Sequence, residues 1–364
     1  MNMIPLVRTN IPDREKLMPE LEKVLYSGYV AQGEQVELFE RAFEKYIGKG
    51  YSLSLNSGTA SLHIALILAG IRQGDEVIST ALTAEPTNVA IKMAGAKIRY
   101  ADVDYDTGNI NPESIEAAIN ESTKAIMVVD YAGIPVNVPE IRRIAGKYNL
   151  PVIEDAAHAL GARFGGLKTG CHFPYTVFSF QAIKHLTTID GGILQIDSKD
   201  DYEKGKLVRW FGIDKKLNRL ENNIHLQGYK YHMNNVNAVI GLVQLNEIER
   251  IIDAHISNGK FFDNELKDVQ GLELLKYYPG SEPSYWLYTL KVENRDGFIR
   301  KLAENGIMAS ELHKRSDQHE YLNDFNAKLP VLDRFYERLV HLPCGWWLNY
   351  EDRQKIAYTI RLGW

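Results

Sequence analysis

The sequence predicts an α/β protein with a large domain, built on a mainly parallel mixed sheet flanked by helices, and a smaller C-terminal α/β domain. Two observations predict this class. Short apolar segments alternate with helical patterns over the first two thirds of the chain, as in strand–helix–strand crossovers. The length of 364 residues also exceeds what one hydrophobic core usually supports, so a second domain is expected.

The elements of the large domain follow in chain order. The first helix is expected from Arg14 to Ser27, with Asp13 as its N-cap and Pro19 as a residue that can split it. Further predicted helices cover 35–47, 58–66, 88–95, 112–119 and 139–148. Predicted strands cover 52–55, 75–80, 97–100, 123–130, 152–154 and 177–180.

A longer helical pattern past Gly241 is expected to connect the two domains, which are assigned as residues 1–245 and 246–364. In the smaller domain, residues 285–292 are predicted to form a strand, and residues 295–304 a helix that ends at Asn305-Gly306.

Composition narrows the class of function. The chain is 45% hydrophobic and 24% charged, with a net charge of −5, which argues against a nucleic-acid surface. It has no apolar run of membrane-spanning length, and its first residues lack the pattern of a signal peptide, so a cytoplasmic location is expected. Cys171 and Cys344 are the only cysteines. The histidines at positions 63, 158, 172 and 185 do not pair with acids at metal-ligand spacing, so we expect no metal.

Lys184 lies between an aromatic strand and the Gly191-Gly192 turn. Burial favours the neutral amine, which is the form that attacks an aldehyde or moves a proton at neutral pH. The alternative is an ordinary surface lysine after a strand. The sequence around Lys184 therefore indicates a reactive lysine only in combination with other segments.

Two other segments supply that combination. Asp155 ends an apolar strand, where its carboxylate can pair with a protonated pyridine nitrogen. Ser57, Gly58 and Thr59 precede a helix, whose free N–H groups and dipole form a phosphate site. An ordinary Ser/Thr N-cap is the alternative for this turn. Phosphate turn, acid and lysine in this order predict a pyridoxal phosphate (PLP) site.

The chain resembles the DegT/StrS-type sugar aminotransferases, PLP enzymes of the aspartate aminotransferase superfamily (fold type I). The resemblance rests on five segments and continues more loosely to the end of the chain. They are 33–40 (GEQVELFE), 56–60 (NSGTA), 154–158 (EDAAH), 178–184 with Phe-Ser-Phe and the lysine, and 241–245 (GLVQL).

The resemblance implies roles for individual residues. Gly58, Thr59 and Ser179 would hold the cofactor phosphate, Asp155 the pyridine nitrogen, and Lys184 the cofactor aldehyde. His158 would lie near the ring hydroxyl. Asn235 would reach the phosphate of the neighbouring subunit, which implies a homodimer with active sites at the subunit interface. The alternative for Asn235 is a helix cap.

Two segments depart from the family pattern. The segment 80–88 (TALTAEPTN) has no aromatic residue to pack on the pyridine ring, so Leu82 or Thr83 would cover it less tightly. His232 stands where the family often has an arginine, and an imidazole is not equivalent to a guanidinium in anion recognition. The substrate mouth is therefore expected to differ.

The resemblance implies transfer of an amino group from L-glutamate or glutamine to a keto-sugar, usually linked to a nucleotide. His185, His232, His313, Lys314 and Arg315 are the candidates for substrate binding, and residues 313–315 could equally be a solvated basic turn. Open alternatives are a small phosphorylated ketone as acceptor, a PLP-dependent sugar dehydratase, and a non-catalytic PLP-binding regulatory protein. We expect small-molecule partners, no nucleic acid and no membrane.

Overall fold

The computed structural model describes residues 3 to 364, so residues 1 and 2 of the predicted large domain lie outside the described part of the chain. Its helices are α1 (Arg14–Leu25), α2 (Glu34–Ile47), α3 (Gly58–Leu68), α4 (Glu85–Met93), α5 (Pro112–Ala118), α6 (Val138–Tyr148), α7 (Lys199–Arg209), α8 (Asn235–Leu245), α9 (Ile248–Leu266), α10 (Arg295–Glu304), α11 (Pro330–Arg338) and α12 (Tyr350–Arg361).

The strands are β1 (Tyr51–Leu55), β2 (Glu76–Thr80), β3 (Lys97–Ala101), β4 (Thr123–Val129), β5 (Val152–Asp155), β6 (Arg163–Phe164), β7 (Leu167–Lys168), β8 (Tyr175–Ser179), β9 (Gly192–Ile196), β10 (Leu272–Leu274), β11 (Ser281–Glu282), β12 (Tyr288–Val292) and β13 (Leu339–Leu342).

A seven-stranded sheet with the order β1-β9-β8-β5-β4-β2-β3 forms the centre of the large unit. Strands β8, β5, β4, β2 and β3 are parallel to one another, whereas β9 runs antiparallel to both β8 and β1. The sheet is therefore mainly parallel and mixed, as predicted. The sequence analysis missed β9, because Gly191-Gly192 was interpreted as a turn and the buried strand after it was not assigned.

The sequence did not predict helix α7, and the predicted helices of the large unit differ from the observed ones at their ends. Helix α1 continues through Pro19 and ends at Leu25, and Asp13 occupies its N-cap position without a side-chain cap. Helix α4 begins at Glu85, three residues earlier than predicted, with Pro86 in its first turn, a position that proline tolerates. The predicted connecting helix is divided into α8 and α9 at residues 246 and 247.

Aromatic packing fixes the end of β8, from which the chain continues towards Lys184. Phe178 and Phe180 flank Ser179, and their rings lie edge-on to Phe43 of α2 at centroid distances of 5.3 and 5.6 Å. Such pairs contribute about 0.5–1.5 kcal/mol each beyond the area they bury. The backbone around Ser179 is therefore held from the back of the sheet.

The C-terminal part contains the antiparallel sheet β10-β12-β13, packed with α9, α10 and α12 around a second core. Ile4, near the N-terminus, forms a bridge with Ile307 and joins this core. Leu332 and Phe335 of α11 pack instead against the core of the large unit. Contacts thus cross the boundary at residue 246, and the division at that residue stays a prediction.

Candidate active site

A cavity of about 350 Å³ opens where the parallel strands end. Val129, Asp155 and Ser179, the last residues of β4, β5 and β8, all line it. In open α/β sheets, ligands bind outside the carboxyl ends of the strands. The cavity brings together eight residues singled out from the sequence: Ser57, Gly58, Thr59, Asp155, His158, Ser179, Lys184 and His313.

The N-terminus of α3 forms one wall. Ser57 is its N-cap with an extended backbone, and its hydroxyl accepts a hydrogen bond from the Ala60 N–H over 3.1 Å. The first N–H groups of a helix have no helical partners, and Gly58 and Thr59 at this end line the cavity. A Cβ on Gly58 would lie 3.1 Å from Cβ of Ser179, so glycine permits the close approach of the two segments.

Lys184 extends into the cavity from the loop after β8. Its Nζ lies 4.1 Å from the ring centroid of Trp286. Burial lowers the pKa of the Lys184 ammonium to about 7, although the nearby Asp155 carboxylate acts in the opposite direction. Close to neutral pH, Lys184 is therefore available as a free amine, which is a nucleophile and a proton acceptor.

Asp155 ends β5 with 4% of its surface exposed. Its Oδ2 accepts a hydrogen bond from Thr87 Oγ1 over 2.7 Å, and its Oδ1 accepts one from the Ala157 N–H over 3.1 Å. Burial raises the pKa of this carboxyl, while the two donors and Lys184 oppose the rise. The site therefore contains a buried acid whose two oxygens both have hydrogen-bond donors.

His158 and Trp286 form a flat aromatic pair beside the lysine. Their rings are stacked with centroids 3.9 Å apart and planes inclined by 18°. Trp286 Nε1 donates to the Ile183 carbonyl over 2.9 Å, which fixes the indole. Burial, and then the charge of Lys184, hold the pKa of His158 well below its usual range, so the ring is neutral. Its buried Nδ1 has no hydrogen-bond partner among the described residues.

Four of the sequence candidates lie away from the cavity. His185 packs against His255 and approaches the Ser284 carbonyl, 3.3 Å away. His232 stands edge-on to Trp210. The other two candidates lie in the loop after α10. Lys314 is exposed, and Arg315 is 6% exposed and paired with two aspartates.

Asn235 begins α8 and is also buried away from the cavity. Its Nδ2 donates to the Tyr29 carbonyl over 2.7 Å, and its Oδ1 accepts from the Val36 N–H over 3.3 Å. The cap of α8 is the preceding residue, Asn234, whose side chain accepts from the Asn237 N–H. Within one chain Asn235 thus ties the segment before α2 to α8, and its reach into a neighbouring subunit stays a prediction.

Sequence reasoning missed several residues of the cavity wall, chiefly Trp286, Thr87, Glu85 and Gln181. Trp286 was placed in a strand of the smaller domain, but that strand, β12, begins only at Tyr288. No local pattern connects residue 286 with residue 184. Thr87 and Glu85 lie in the segment 80–88, which has no aromatic residue, and its threonines were the only signal that the sequence offered there.

These residues fit a phosphorylated pyridine aldehyde. The α3 N-terminus suits a phosphate, the buried Asp155 carboxylate suits a protonated ring nitrogen, and the unpartnered Nδ1 of His158 suits a ring hydroxyl. The free amine of Lys184 suits the aldehyde. Among residues 3–364, no group of three or more His, Cys, Asp or Glu side chains is arranged to hold a metal ion.

Comparison with known proteins agrees with this chemistry. Residues 12–361 match the model of the DegT/DnrJ/EryC1/StrS aminotransferase family. The chain is 31% identical over 350 residues to a UDP-4-amino-4,6-dideoxy-N-acetyl-beta-L-altrosamine transaminase of Campylobacter jejuni, covering 93% of this chain and 92% of the relative.

Two solved structures are very similar over the full length of both chains. AtS13 of Actinomadura melliaura superposes with a TM-score of 0.96 at 39% identity, and covers 100% of each chain. The sugar aminotransferase CalS13 of Micromonospora echinospora gives a TM-score of 0.96 at 36% identity, again with 100% coverage of each. The family match and these structures together identify the architecture as PLP fold type I.

Proposed function

This chain belongs to the DegT/DnrJ/EryC1/StrS aminotransferase family, and we propose that it transfers an amino group from L-glutamate or glutamine to a nucleotide-linked keto-deoxysugar. Surface polysaccharide or glycan biosynthesis is the proposed context. The protein is a PLP-dependent aminotransferase. The donor, the acceptor and the roles of individual residues are the proposed part.

The observation that carries the proposal is the environment of Lys184. An amine whose pKa is lowered to about 7 lies in the same cavity as a buried acid, a helix N-terminus and a neutral histidine. Transamination needs a residue that binds an aldehyde and afterwards moves a proton, and a free amine does both. A lysine with an ordinary pKa would be protonated and would do neither at neutral pH.

Each residue has a proposed task. Gly58, Thr59 and Ser179 hold the cofactor phosphate, and Asp155 holds the ring nitrogen. His158 lies beside the ring hydroxyl. When bound, PLP supplies an aldehyde that takes up amines and an electron-withdrawing ring.

The lysine then acts on the substrate. Lys184 Nζ, as a neutral amine, would carry a proton from the amino-bearing carbon of the donor to the aldehyde carbon of the cofactor in the first half of the reaction, and in the opposite direction to the acceptor in the second half. Trp286 covers one side of this amine and limits the access of water, which keeps its pKa low. In similar enzymes an aromatic residue usually comes from the segment that leads into α4. This chain has none there, and Trp286 is the aromatic residue that lines the cavity.

The names of the relatives support a sugar nucleotide as acceptor. The Campylobacter relative is named for a UDP-linked amino sugar, and CalS13 is described as a sugar aminotransferase. In this chain Lys314 is an exposed cation next to His313, which lines the cavity. We propose that Lys314 meets the diphosphate, since Arg315 is already paired with Asp317 and Asp333.

We also propose that the enzyme works in the cytoplasm as a homodimer. The family resemblance of the segment around Asn235 supports the dimer, and Cys171 and Cys344, both free thiols, are typical of a reducing compartment. Among residues 3–364, no helix is both long and apolar enough to span a membrane. Gel filtration with light scattering measures the dimer, and cell fractionation measures the location.

A two-step assay tests the acceptor. The purified holoenzyme is first converted with glutamate, which changes the cofactor absorbance, and then mixed separately with UDP- and TDP-linked 4-keto-6-deoxysugars and with small keto-phosphates. We expect the original spectrum to return only with a nucleotide-linked sugar, with an aminated product detected by mass spectrometry. Lys184→Ala serves as the inactive control. Recovery with keto-phosphates alone would contradict the proposed acceptor.

A further inference from the structure

A directional chain of hydrogen bonds ends on Asp155. The Oγ1 atoms of Thr83 and Thr87 are 2.7 Å apart, and Thr87 Oγ1 donates to Asp155 Oδ2 over 2.7 Å. All three side chains are buried, with 2%, 2% and 4% of their surface exposed. A hydroxyl has a single proton, and Thr87 gives its proton to the carboxylate. It must therefore accept the proton of Thr83.

We propose that Thr87, supported by Thr83, is a positioning residue that keeps the Asp155 carboxylate ionised and oriented towards the cavity. This inference rests on the proposed role of Asp155 at the ring nitrogen of the cofactor. Thr87 acts through Asp155 and has no contact with the reacting atoms in this role.

The geometry explains how two donors fix one carboxylate. Thr87 holds Oδ2, and the Ala157 N–H holds Oδ1 over 3.1 Å, so that rotation of the carboxyl group would break one bond or the other. Hydrogen bonds to an ionised group are about twice as strong as neutral ones. They favour the carboxylate over the protonated acid, whose OH group would face donors instead of acceptors.

The charged surroundings make such support necessary. Lys184, from the loop after β8, favours the ionised form of Asp155. Asp130, which directly follows β4, is fully buried, and burial, followed by the charges of Glu154 and Asp155, holds its pKa well above its usual range. Burial disfavours the charge of Asp155 as well. Two donors and one cation thus oppose the effect of desolvation on the pKa of Asp155.

The same hydroxyls connect Asp155 with the substrate side of the cavity. Thr83 directly precedes the first turn of α4, and this turn contributes Glu85, Pro86 and Thr87 to the wall. Asn88 Nδ2 donates to the Thr80 carbonyl over 3.0 Å and anchors this segment to the end of β2. The wall beside the substrate and the acid at the ring nitrogen are therefore held as one unit.

Four variants separate positioning from packing. Thr87→Val removes the hydroxyl at nearly constant volume, and Thr87→Ser keeps it. Thr83→Val removes only the hydrogen bond between Thr83 and Thr87. Thr169→Val is the matched control, because Thr169 is 2% exposed and its hydroxyl has no partner among the described residues. For each holoenzyme we would measure kcat and KM for the glutamate half-reaction, the pH dependence of the cofactor absorbance, and the rate of cofactor loss on dialysis.

Thr87→Val should lower kcat by about 10- to 100-fold, the equivalent of one hydrogen bond to a charged group, with a much smaller change in KM. Its cofactor absorbance should titrate at higher pH on the acid side, since Asp155 loses a donor to its ionised form, and cofactor loss should be faster. Thr83→Val should show a weaker effect in the same direction. Thr87→Ser and Thr169→Val should stay within about threefold of the wild type.

An unchanged kcat and absorbance profile in Thr87→Val would overturn the inference, as would a Thr87→Ser variant damaged as much as Thr87→Val. If Thr87→Val fails to fold, as judged by its melting temperature, Thr83→Val decides, and an unshifted absorbance profile in that variant overturns the inference. The Asp155→Asn variant separates a failure of the role proposed for Asp155 from a failure of the role proposed for Thr87. A fully active Asp155→Asn variant would remove the proposed role of Asp155 itself, whereas an impaired one beside an intact Thr87→Val would remove only the role of Thr87.

Discussion

Lys184 should react with an amine-directed reagent at neutral pH far more readily than an ordinary lysine. A lysine with the usual pKa of 10.5 is neutral in roughly 3 of 10,000 molecules at pH 7, whereas a pKa of about 7 makes about half of them neutral. The neutral fraction is therefore roughly 1,500 times larger at this pH. The perturbation is a pH series from about 5.5 to about 11.5 on the cofactor-free protein, which includes both the lowered and the usual pKa of a lysine.

The assay is trace labelling with acetic anhydride, followed by peptide mass spectrometry, with the exposed Lys314 as internal reference. Labelling of Lys184 should reach half its maximum near pH 7. Asp155→Asn should move this midpoint to lower pH, because the Asp155 carboxylate raises the pKa of Lys184 and the amide does not. A midpoint close to 10.5 would refute the reasoning, since burial would then have no effect on the amine.

The remaining predictions concern the cofactor site and its support. Asp155→Asn should lower kcat at least about tenfold, because a neutral amide offers no negative charge to a protonated ring nitrogen. Steady-state kinetics measures this change. Gly58→Val should weaken cofactor binding by about tenfold or more, since its Cβ would meet Ser179 at 3.1 Å and its branches would displace the helix start, as a cofactor titration would show. Glu40→Gln should cost about 3–5 kcal/mol of unfolding free energy in urea, because it leaves the buried charge of Arg209 without its carboxylate partner.

Controls for these variants come from the same chain. Glu37, one turn before Glu40, pairs with Arg41 on the surface, so Glu37→Gln should change stability by less than about 1 kcal/mol. Equal losses from both glutamine variants would contradict the view that burial makes the Glu40 pair important.

Gly146 is the control for Gly58. It has open space around its Cβ position, and Gly146→Ala should leave cofactor binding unchanged. A Gly58→Val variant that binds the cofactor as tightly as the wild type would show that the close approach to Ser179 is not required.

Local chemistry made the core of the site predictable from sequence. Residues 57–59 lie at the start of α3, Asp155 ends β5, and Lys184 lies in the loop after β8. The carboxyl ends of parallel strands meet at one edge of the sheet. The order of the segments along the chain was therefore enough to place them in one cavity. The fold class followed from the same alternation of helices and strands, and the structure and the family match confirm it.

The sequence could not show which distant side chains reach the cavity and which are held elsewhere, because tertiary packing determines both. Trp286 comes from a segment about a hundred residues after Lys184, and only the folded chain brings its ring to 4.1 Å from Nζ. Arg315 looked like a free cation for a phosphate, but two aspartates, one of them 18 residues away, hold it. His185, directly after the lysine, points to the Ser284 carbonyl instead of the cavity. A histidine or arginine near a motif shows its chemistry only once its partners are known.

The covalent attachment of the cofactor to Lys184 is the central claim, and reduction with borohydride tests it most directly. The PLP-loaded protein is reduced, digested and mapped by mass spectrometry. We predict a phosphopyridoxyl group on the peptide that contains Lys184 and no such modification at other lysines. An unmodified Lys184 in protein that carries one cofactor per chain would contradict the account.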